Sequence, residues 1–522
     1  MPLSGGAITR SVPLTELLSA GLASKPDAVA ITSLLTTYSW RELDQAASHL
    51  ARKLLGLGLQ PGDRVACLMP NRTALAVYFL AAIRAGLVLV PLNYRLQAEG
   101  VQQQLKASDA SLLFLHAERD QEVAALGEGL RCGLLSYDSP SGRAPSFEGL
   151  MNEGPEERAL PERDPEAPAF IFYTSGSTGP AKGVVHSEAS MAAMLASNAQ
   201  GFALMPEDVV LPASSMAHLG AFFMTFAALS VGARVALARG FQPEEIAALL
   251  RRERPTVLMM LQTALFGVIR NAGVTEEDLA SLRLCRCGGD KVSTALQEAF
   301  RAKTGLTIHE GLGITEAGQI AFNRSGGPIK PGSIGQPLPG AEIAPRDPEG
   351  QECPVGQPGR LWVRTPALML GYWNDPEATA EVLQEGWLDT GDLVEADADG
   401  FLWFRGRQKQ IIVHDASNIA PQEVEGALLD HPAVASACAV GVVDQLHGEN
   451  VLAFVAVKQG ETVPAAEELI TFAREKIGYK APEEIVFLDR LPLNPTGKLD
   501  RVALKALAAE RASGAETHAE SR

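Results

Sequence analysis

Along the first part of the chain, short runs of consecutive apolar residues alternate with longer stretches in which apolar residues recur every three or four positions. Residues 28–32, 64–69 and 87–90 are runs of the first kind and predict short buried strands. Residues 43–55 and 74–85 carry the helical spacing, and Pro61-Gly62-Asp63 marks a turn between the first helix and the strand that follows. Strands alternating with helices predict a parallel, helix-covered sheet. A second α/β stretch covers roughly 185–325. Residues 328–404 are rich in Gly and Pro, with short alternating strands at 359–363 and 401–404, which predicts a small β-rich subdomain. Beyond Arg405 the pattern restarts: strands at 411–414, 433–443 and 451–457, and helices near 421–429 and 465–476, fit a compact α+β domain of about a hundred residues. The polar residues from 511 to 522 predict a disordered tail.

Within this rhythm one stretch stands apart. Residues 170–173 read as a buried strand, and Thr174, Ser175, Gly176, Ser177, Thr178 and Gly179 follow as six small residues before Lys182. Hydroxyls supply donors, the two glycines let backbone N–H groups approach an anion closely, and Lys182 adds positive charge. A phosphate-holding loop is the expectation. It is not a Walker A loop, because Lys182 stands between Ala181 and Gly183 rather than after Gly and before Ser or Thr.

Further constellations follow in order. Gly311 and Gly313 predict a tight loop after a strand at 306–309, and Thr315-Glu316 sets a hydroxyl beside a carboxylate of the kind that serves Mg²⁺ next to substrate phosphates. Asp392, in Thr390-Gly391-Asp392, offers a carboxylate able to accept from two hydroxyls of a ribose at once. Arg407 and Lys409 lie where the pattern changes domain, and Lys498 is displayed by a turn rich in Pro, Thr and Gly. His218 sits among bulky apolar neighbours in residues 211–224; a lone histidine there is most often a packed core residue.

Composition narrows the choice of partners. The net charge of −17, with 62 acidic residues, argues against nucleic-acid or anionic-membrane binding, so a nucleotide must be held by a few local cations and dipoles. The six cysteines show no CxxC pair and read as reduced thiols of a cytoplasmic protein, with Cys285 and Cys287 on one face of a strand. The N-terminus lacks a charged start followed by an apolar core, so no signal peptide is expected. The charge-free stretch 209–233 is interrupted by Pro212, Ser214, Ser215, His218 and Thr225, which favours a buried segment beside a ligand over a transmembrane helix.

Residues 173–182 resemble the signature loop of the adenylate-forming superfamily, which includes acyl-CoA synthetases, nonribosomal-peptide adenylation domains and luciferases. Five motifs in the family's order span about 170–500. The resemblance implies an α/β fold: a large N-terminal AMP-binding domain (1–405) of two helix-covered mixed sheets plus a small β-rich, barrel-like subdomain, a hinge (406–410), and a small mobile α+β C-terminal lid (411–510). It implies that Thr174 to Gly179 and Lys182 hold the leaving pyrophosphate, that Thr315 contacts phosphate and that Glu316 ligates Mg²⁺. Gly289, Gly311 and Leu312 would line the nucleotide site, with Asp392 and Arg407 on its ribose. Lys409 would be the hinge, Lys498 the catalytic lysine, and His218 with Gly220 the wall between acyl pocket and thiol tunnel. Met216, Phe222, Phe223, Ala317 and Gly318 would line the acyl pocket; no cation sits among the residues of that pocket, which favours a monocarboxylic fatty or aryl acid over a dicarboxylate or amino acid.

Two positions depart from the family pattern. Leu312 replaces the aromatic residue of Tyr-Gly-x-Thr-Glu, and Ala416, beside Asp415, replaces a glycine of the pantetheine tunnel. The resemblance therefore implies ATP, Mg²⁺ and coenzyme A as cofactors of a carboxylic-acid ligase, with a carrier-protein phosphopantetheine as the alternative acceptor. A non-catalytic nucleotide-binding module and a luciferase-type oxygenase are the more distant alternatives, and a homodimer is left open.

Overall fold

The structure, a computed structural model, describes residues 2–139, 145–174, 181–271, 273–288, 292–414, 417–444, 448–494 and 498–519. Two seven-stranded sheets form the bulk of the large domain. In the first, Val88–Pro91, Arg64–Leu68, Ala110–His116 and Leu134–Tyr137 run parallel, as their continuous apolar runs predict. Pro168–Thr174 joins Val88–Pro91 in parallel and then turns back antiparallel into Lys182–Ser187, which Gly371–Tyr372 caps at the edge. In the second sheet the order is Ile308–His309, Leu284–Gly288, Val257–Leu261, Val209–Ala213, Arg234–Ala236, Val29–Thr32 and Thr37–Ser39, parallel except for the last pair. Val29–Thr32 thus belongs to a different sheet from Arg64–Leu68. An apolar run fixes a strand but not the neighbour it pairs with.

The main core lies between these sheets. Helix Trp40–Gly56 begins on a capping box made by Ser39 and Glu42, then buries its Leu and Ala stripe. Thr73–Arg84 and Leu219–Ser230 are apolar almost all round and almost wholly buried, because each is covered on every side. The second of these, with Val209–Ala213, accounts for the charge-free stretch. Among the described residues, no helix is long and apolar enough to cross a membrane. Cys285 and Cys287 share one buried face of Leu284–Gly288, and all six cysteines are free thiols.

The β-rich region contains a six-stranded antiparallel sheet built on Glu342–Arg346, Pro358–Arg364, Trp387–Ala396 and Leu402–Arg407. Beside it lies a three-stranded sheet of Gly311–Ile314, Gly318–Phe322 and Gln336–Pro337. Gly311 and Gly313 therefore lie in a strand, not in the tight loop expected of them. A Cβ on Gly311 would stand 2.5 Å from the Gln319 amide nitrogen, so glycine there serves the close approach of the paired strand. The C-terminal domain has a five-stranded sheet, with Gly448–Val457 at its centre and Val434–Asp444 along one edge, packed by Pro421–Leu429, Ala466–Ile477 and Arg501–Ala519. That last helix continues to Ala519, through positions where the sequence analysis expected disorder; its Ala, Glu and Arg residues are good helix formers.

Candidate functional site

Residues 175–180 connect two antiparallel strands, Pro168–Thr174 and Lys182–Ser187, in which Thr174 pairs with Lys182. A phosphate loop of the Walker type leads from strand into helix; this one closes a hairpin. Ser175, Gly176, Ser177, Thr178 and Gly179 lie outside the described residues, as do Gly289 and the pair Asp415 and Ala416. At the hairpin's edges Thr174 turns its hydroxyl to the Lys182 carbonyl at 3.4 Å. The exposed Lys182 ammonium lies 4.7 Å from the centre of the Tyr372 ring.

Tyr372 links this lysine to the second motif, since its hydroxyl donates to Glu316 Oε1 at 2.9 Å. Burial and the adjoining carboxylate push the phenol far above its ordinary range, so it stays a donor at any physiological pH. Glu316 lies with Thr315 in the turn of the hairpin Gly311–Ile314/Gly318–Phe322. The turn is pinned from beneath by His186, whose Nε2 lies 2.8 Å from the Thr315 carbonyl and whose Nδ1 lies 3.2 Å from the Ser190 hydroxyl. A carbonyl only accepts, so Nε2 carries the proton. Burial lowers the pKa of this ring to about 4, which keeps it neutral. Ala317 and the half-buried Leu312 pack into the apolar cluster under the β-rich region.

The third motif supplies the most deeply placed acid. Asp392 is 0% exposed and sits directly across the sheet from Arg407, whose Nε donates to Asp392 Oδ1 at 3.0 Å. Its other oxygen, Oδ2, is buried with no hydrogen-bond partner among the described residues. Burial raises the Asp392 pKa, Arg407 and Lys498 oppose that shift, and the Glu316 charge adds to it. These couplings bring Glu316 and Lys498 to the same centre. An orphaned, desolvated carboxylate oxygen beside a guanidinium suits a hydroxyl donor such as a ribose supplies.

His218 caps the N-terminus of Leu219–Ser230 and is half-buried. Asn93 accepts the Arg95 N–H with Oδ1 and offers Nδ2 to His218 Nε2 at 3.1 Å, so His218 carries its proton on Nδ1. Burial first, then the charges of Lys498 and Arg95, lower its pKa to about 4. Lys498 comes from the other domain. Its loop is closed by Asn494, whose side-chain oxygen accepts the Lys498 N–H at 3.1 Å and whose own N–H bonds the Lys498 carbonyl at 2.8 Å. The loop is anchored by Arg501, paired at 2.6 Å with the buried Glu425. Lys409 lies in the 3₁₀ turn Gln408–Gln410 between the domains, just after Gly406, whose φ of +123° glycine tolerates best.

The acyl-pocket expectations divide. Phe223 faces the guanidinium of Arg286 at 5.9 Å, and Gly318 and Gln319 lie on the strand that follows the Thr315-Glu316 turn. Met216 is buried, its N–H held by Asn71. Phe222, by contrast, points into the core, its ring 4.6 to 5.4 Å from those of Phe226, Phe170 and Phe79. The expectation that no cation lies in this region is corrected by Arg286, which the second sheet brings in from a distant part of the chain. Its signal was partial: if Cys285 and Cys287 share one face of their strand, Arg286 must occupy the opposite one. His186, Asn93 and Tyr372 carried no such signal, since each acts only through tertiary contacts.

Among the described residues no group of three or more His, Cys, Asp or Glu could hold a metal ion, so a cation at Glu316 would need further ligands such as substrate phosphates. The arrangement as a whole sets two cations, Lys182 and Lys498, and two acids, Glu316 and Asp392, around one centre. Such a set of charges is chemically suited to a polyphosphate and a sugar, and the neutral His218 ring adds no further cation to it.

Comparison with known proteins finds relatives in sequence and in structure. The family described as AMP-binding enzyme matches residues 18–373, and its C-terminal domain matches 423–498, ending at Lys498. The chain is 32% identical to a feruloyl-CoA synthase of Amycolatopsis over 91% of this chain and 94% of that protein. It is 30% identical to a long-chain-fatty-acid–CoA ligase of Yersinia pestis, over 94% of each. Among solved structures, ATP-bound MatB from Rhodopseudomonas palustris aligns with a TM-score of 0.87 at 28% identity, covering 95% of this chain and 99% of that one. The apo form of the same protein, with the same coverage and identity, aligns at 0.78. With both family models matched in order and relatives of 30% identity or more covering nine-tenths of its length, the chain belongs to the AMP-binding enzyme family.

Proposed function

We propose that this protein is an AMP-forming acid–CoA ligase acting on an aryl or fatty acid. The observation that carries the proposal is the approach of Lys498, from the small domain, to His218 and Asp392 of the large one, where Asp392 also feels Glu316. A carboxylate is a poor electrophile, so thioester formation requires one of its oxygens to become a leaving group. In the first half-reaction a carboxylate oxygen of the acid bonds to the α-phosphorus of ATP, the α–β bridging bond breaks, and pyrophosphate departs. Lys498 bridges the two anions that must meet, Asp392 Oδ2 and Arg407 hold the ribose, and Lys182 with residues 174–179 receives the pyrophosphate. Mg²⁺ on Glu316 would supply charge neutralisation for the phosphates. His218 remains neutral, so it places no second cation beside Lys498.

In the second half-reaction the thiol sulfur of CoA bonds to the acyl carbon, the bond from that carbon to the phosphate oxygen breaks, AMP leaves and the thiol proton passes to solvent. Rotation about Lys409 withdraws Lys498 and opens the route for the thiol. The test is pyrophosphate release from ATP across a panel of acids, with CoA, a carrier protein or hydroxylamine as acceptor. Release with turnover to an acyl-CoA supports the proposal; release that proceeds only to the carrier protein replaces CoA as acceptor, and no release with any acid overturns it. Lys498→Ala separates the half-reactions: adenylation is abolished while thiolysis of supplied acyl-AMP persists, and equal loss of both removes the role assigned to Lys498.

A further inference from the structure

Arg286 is 7% exposed, on the inward face of Leu284–Gly288 beside Met259 and His309 of the neighbouring strands. No carboxylate pairs with it among the described residues. One of its N–H groups, on Nη2, donates to Gln319 Oε1 at 2.6 Å, and its flat face meets Phe223. Nε is buried with no partner. Gln319 has nothing more to offer: its amide nitrogen already serves the carbonyls of Leu312 and Ala321, and its oxygen is spent on Arg286. A buried guanidinium lacking a counter-ion is costly to keep, and its remaining donors need acceptors. Phe223 stands five residues, about 7.5 Å of helix, beyond His218, where the acid's carboxylate is to be activated.

We infer that Arg286, held by Gln319 and Phe223, recognises an oxygen function at the far end of the acid substrate, on the order of 7 to 10 Å from the carboxylate that is activated. This rests on the acid-activating reading of the same site and refines it: the body of the acid is apolar, but its distal end carries a hydrogen-bond acceptor. A second carboxylate fits best, because it also neutralises the cation, and a phenolic hydroxyl comes next. Leu312, Phe223 and Met259 supply the apolar walls between the two ends.

The test measures kcat/KM for pyrophosphate release with octanoate, octanedioate, cinnamate, 4-hydroxycinnamate and 4-carboxycinnamate, for the natural protein, Arg286→Met and Arg286→Gln. The expected result is a preference of about tenfold or more for the oxygen-bearing member of each set, lost in both variants, while the unsubstituted acids are used as well or better. Two variants are included so that misfolding of one, checked by thermal melting, does not remove the comparison. If the natural protein prefers octanoate and cinnamate, or if its preference survives in a folded variant, the inference is overturned although acid activation stands. Absence of release with every acid overturns acid activation itself, and thermal shifts induced by the same five acids then decide the recognition: stabilisation by the oxygen-bearing acids alone, lost in the variants, keeps it, and any other order removes it.

Discussion

His186 and His218 are both neutral rings whose pKa burial lowers to about 4, but nearby cations add to the shift only at His218, and the consequences differ. His186 is buried outright and bears on the hairpin through the Thr315 carbonyl. Its folded pKa lies below the ordinary value of 6.5, so between about 4 and 6.5 the unfolded chain binds more protons and stability rises with pH. The contribution is fully present above 6.5 and is lost as the pH falls towards 4; a difference of this size corresponds to something on the order of 3 kcal/mol. Urea unfolding at pH 7.5, 6.0 and 5.0 should show this slope in the natural protein and a shallower one in His186→Gln. Tyr372 links Lys182 to Glu316. Tyr372→Phe removes the hydrogen bond to Glu316 while leaving the ring under Lys182, and a bond to a charged group contributes about 1.5 to 3 kcal/mol. Loss of kcat/KM for ATP by roughly tenfold to a hundredfold is expected, with a raised Mg²⁺ requirement; unchanged kinetics in both respects would remove Tyr372 from the site.

At the scale of elements, the residues on either side of 495–497 show how the two ends of a short irregular segment are held together. Two Asn494–Lys498 hydrogen bonds close it, and the Arg501–Glu425 pair ties its downstream end to helix Pro421–Leu429. Glu425 also accepts the Ala439 N–H at 2.8 Å, so Glu425→Ala takes the carboxylate from Arg501, which keeps its bond to the Ala439 carbonyl, and removes the acceptor of a backbone donor. Breaking a buried pair costs about 3 to 5 kcal/mol, which should appear as early melting of the small domain together with lost adenylation. Elements with a clear period were legible in the sequence: Pro421–Leu429 falls on the residues expected, and Trp40–Gly56 extends the expected helix by a turn at its start. The hairpin Gly311–Ile314/Gly318–Phe322 was not, because glycine reads as turn unless its cross-strand neighbour is known. Pairing was hidden for the same reason: Val29–Thr32 has the same apolar character as Arg64–Leu68 but lies in the other sheet. The motif residues were legible as chemistry, whereas Tyr372, His186 and Arg286 acquire theirs only from strands far apart in the chain.

At the scale of the whole molecule, the two domains meet with Lys498 near enough to help lower the pKa of His218 and to oppose the upward shift that burial gives Asp392, so the charge of one domain bears on titrating groups of the other. That makes His218 a reporter of closure. In the closed arrangement three influences hold its pKa near 4: burial, Lys498 and Arg95, and only the second leaves with the small domain. Lys498→Ala should therefore raise the pKa of His218 towards 6.5 without disturbing its bond to Asn93. Lys409→Pro tests the motion itself. A 3₁₀ turn has a φ that proline shares, so the substitution is compatible with the arrangement seen here and resists torsional change at that residue. In this variant His218 should keep its low pKa, acyl-hydroxamate formation from ATP and acid should continue, and thioester formation should fall by about tenfold or more if chemistry waits on rotation. Titration of the histidine ring by NMR in the three proteins, alongside the two half-reactions, decides the matter: a His218 pKa that is the same with and without the Lys498 charge would mean that the domains do not close in solution as they do here, and rotation about Lys409 would then have to precede adenylation rather than follow it.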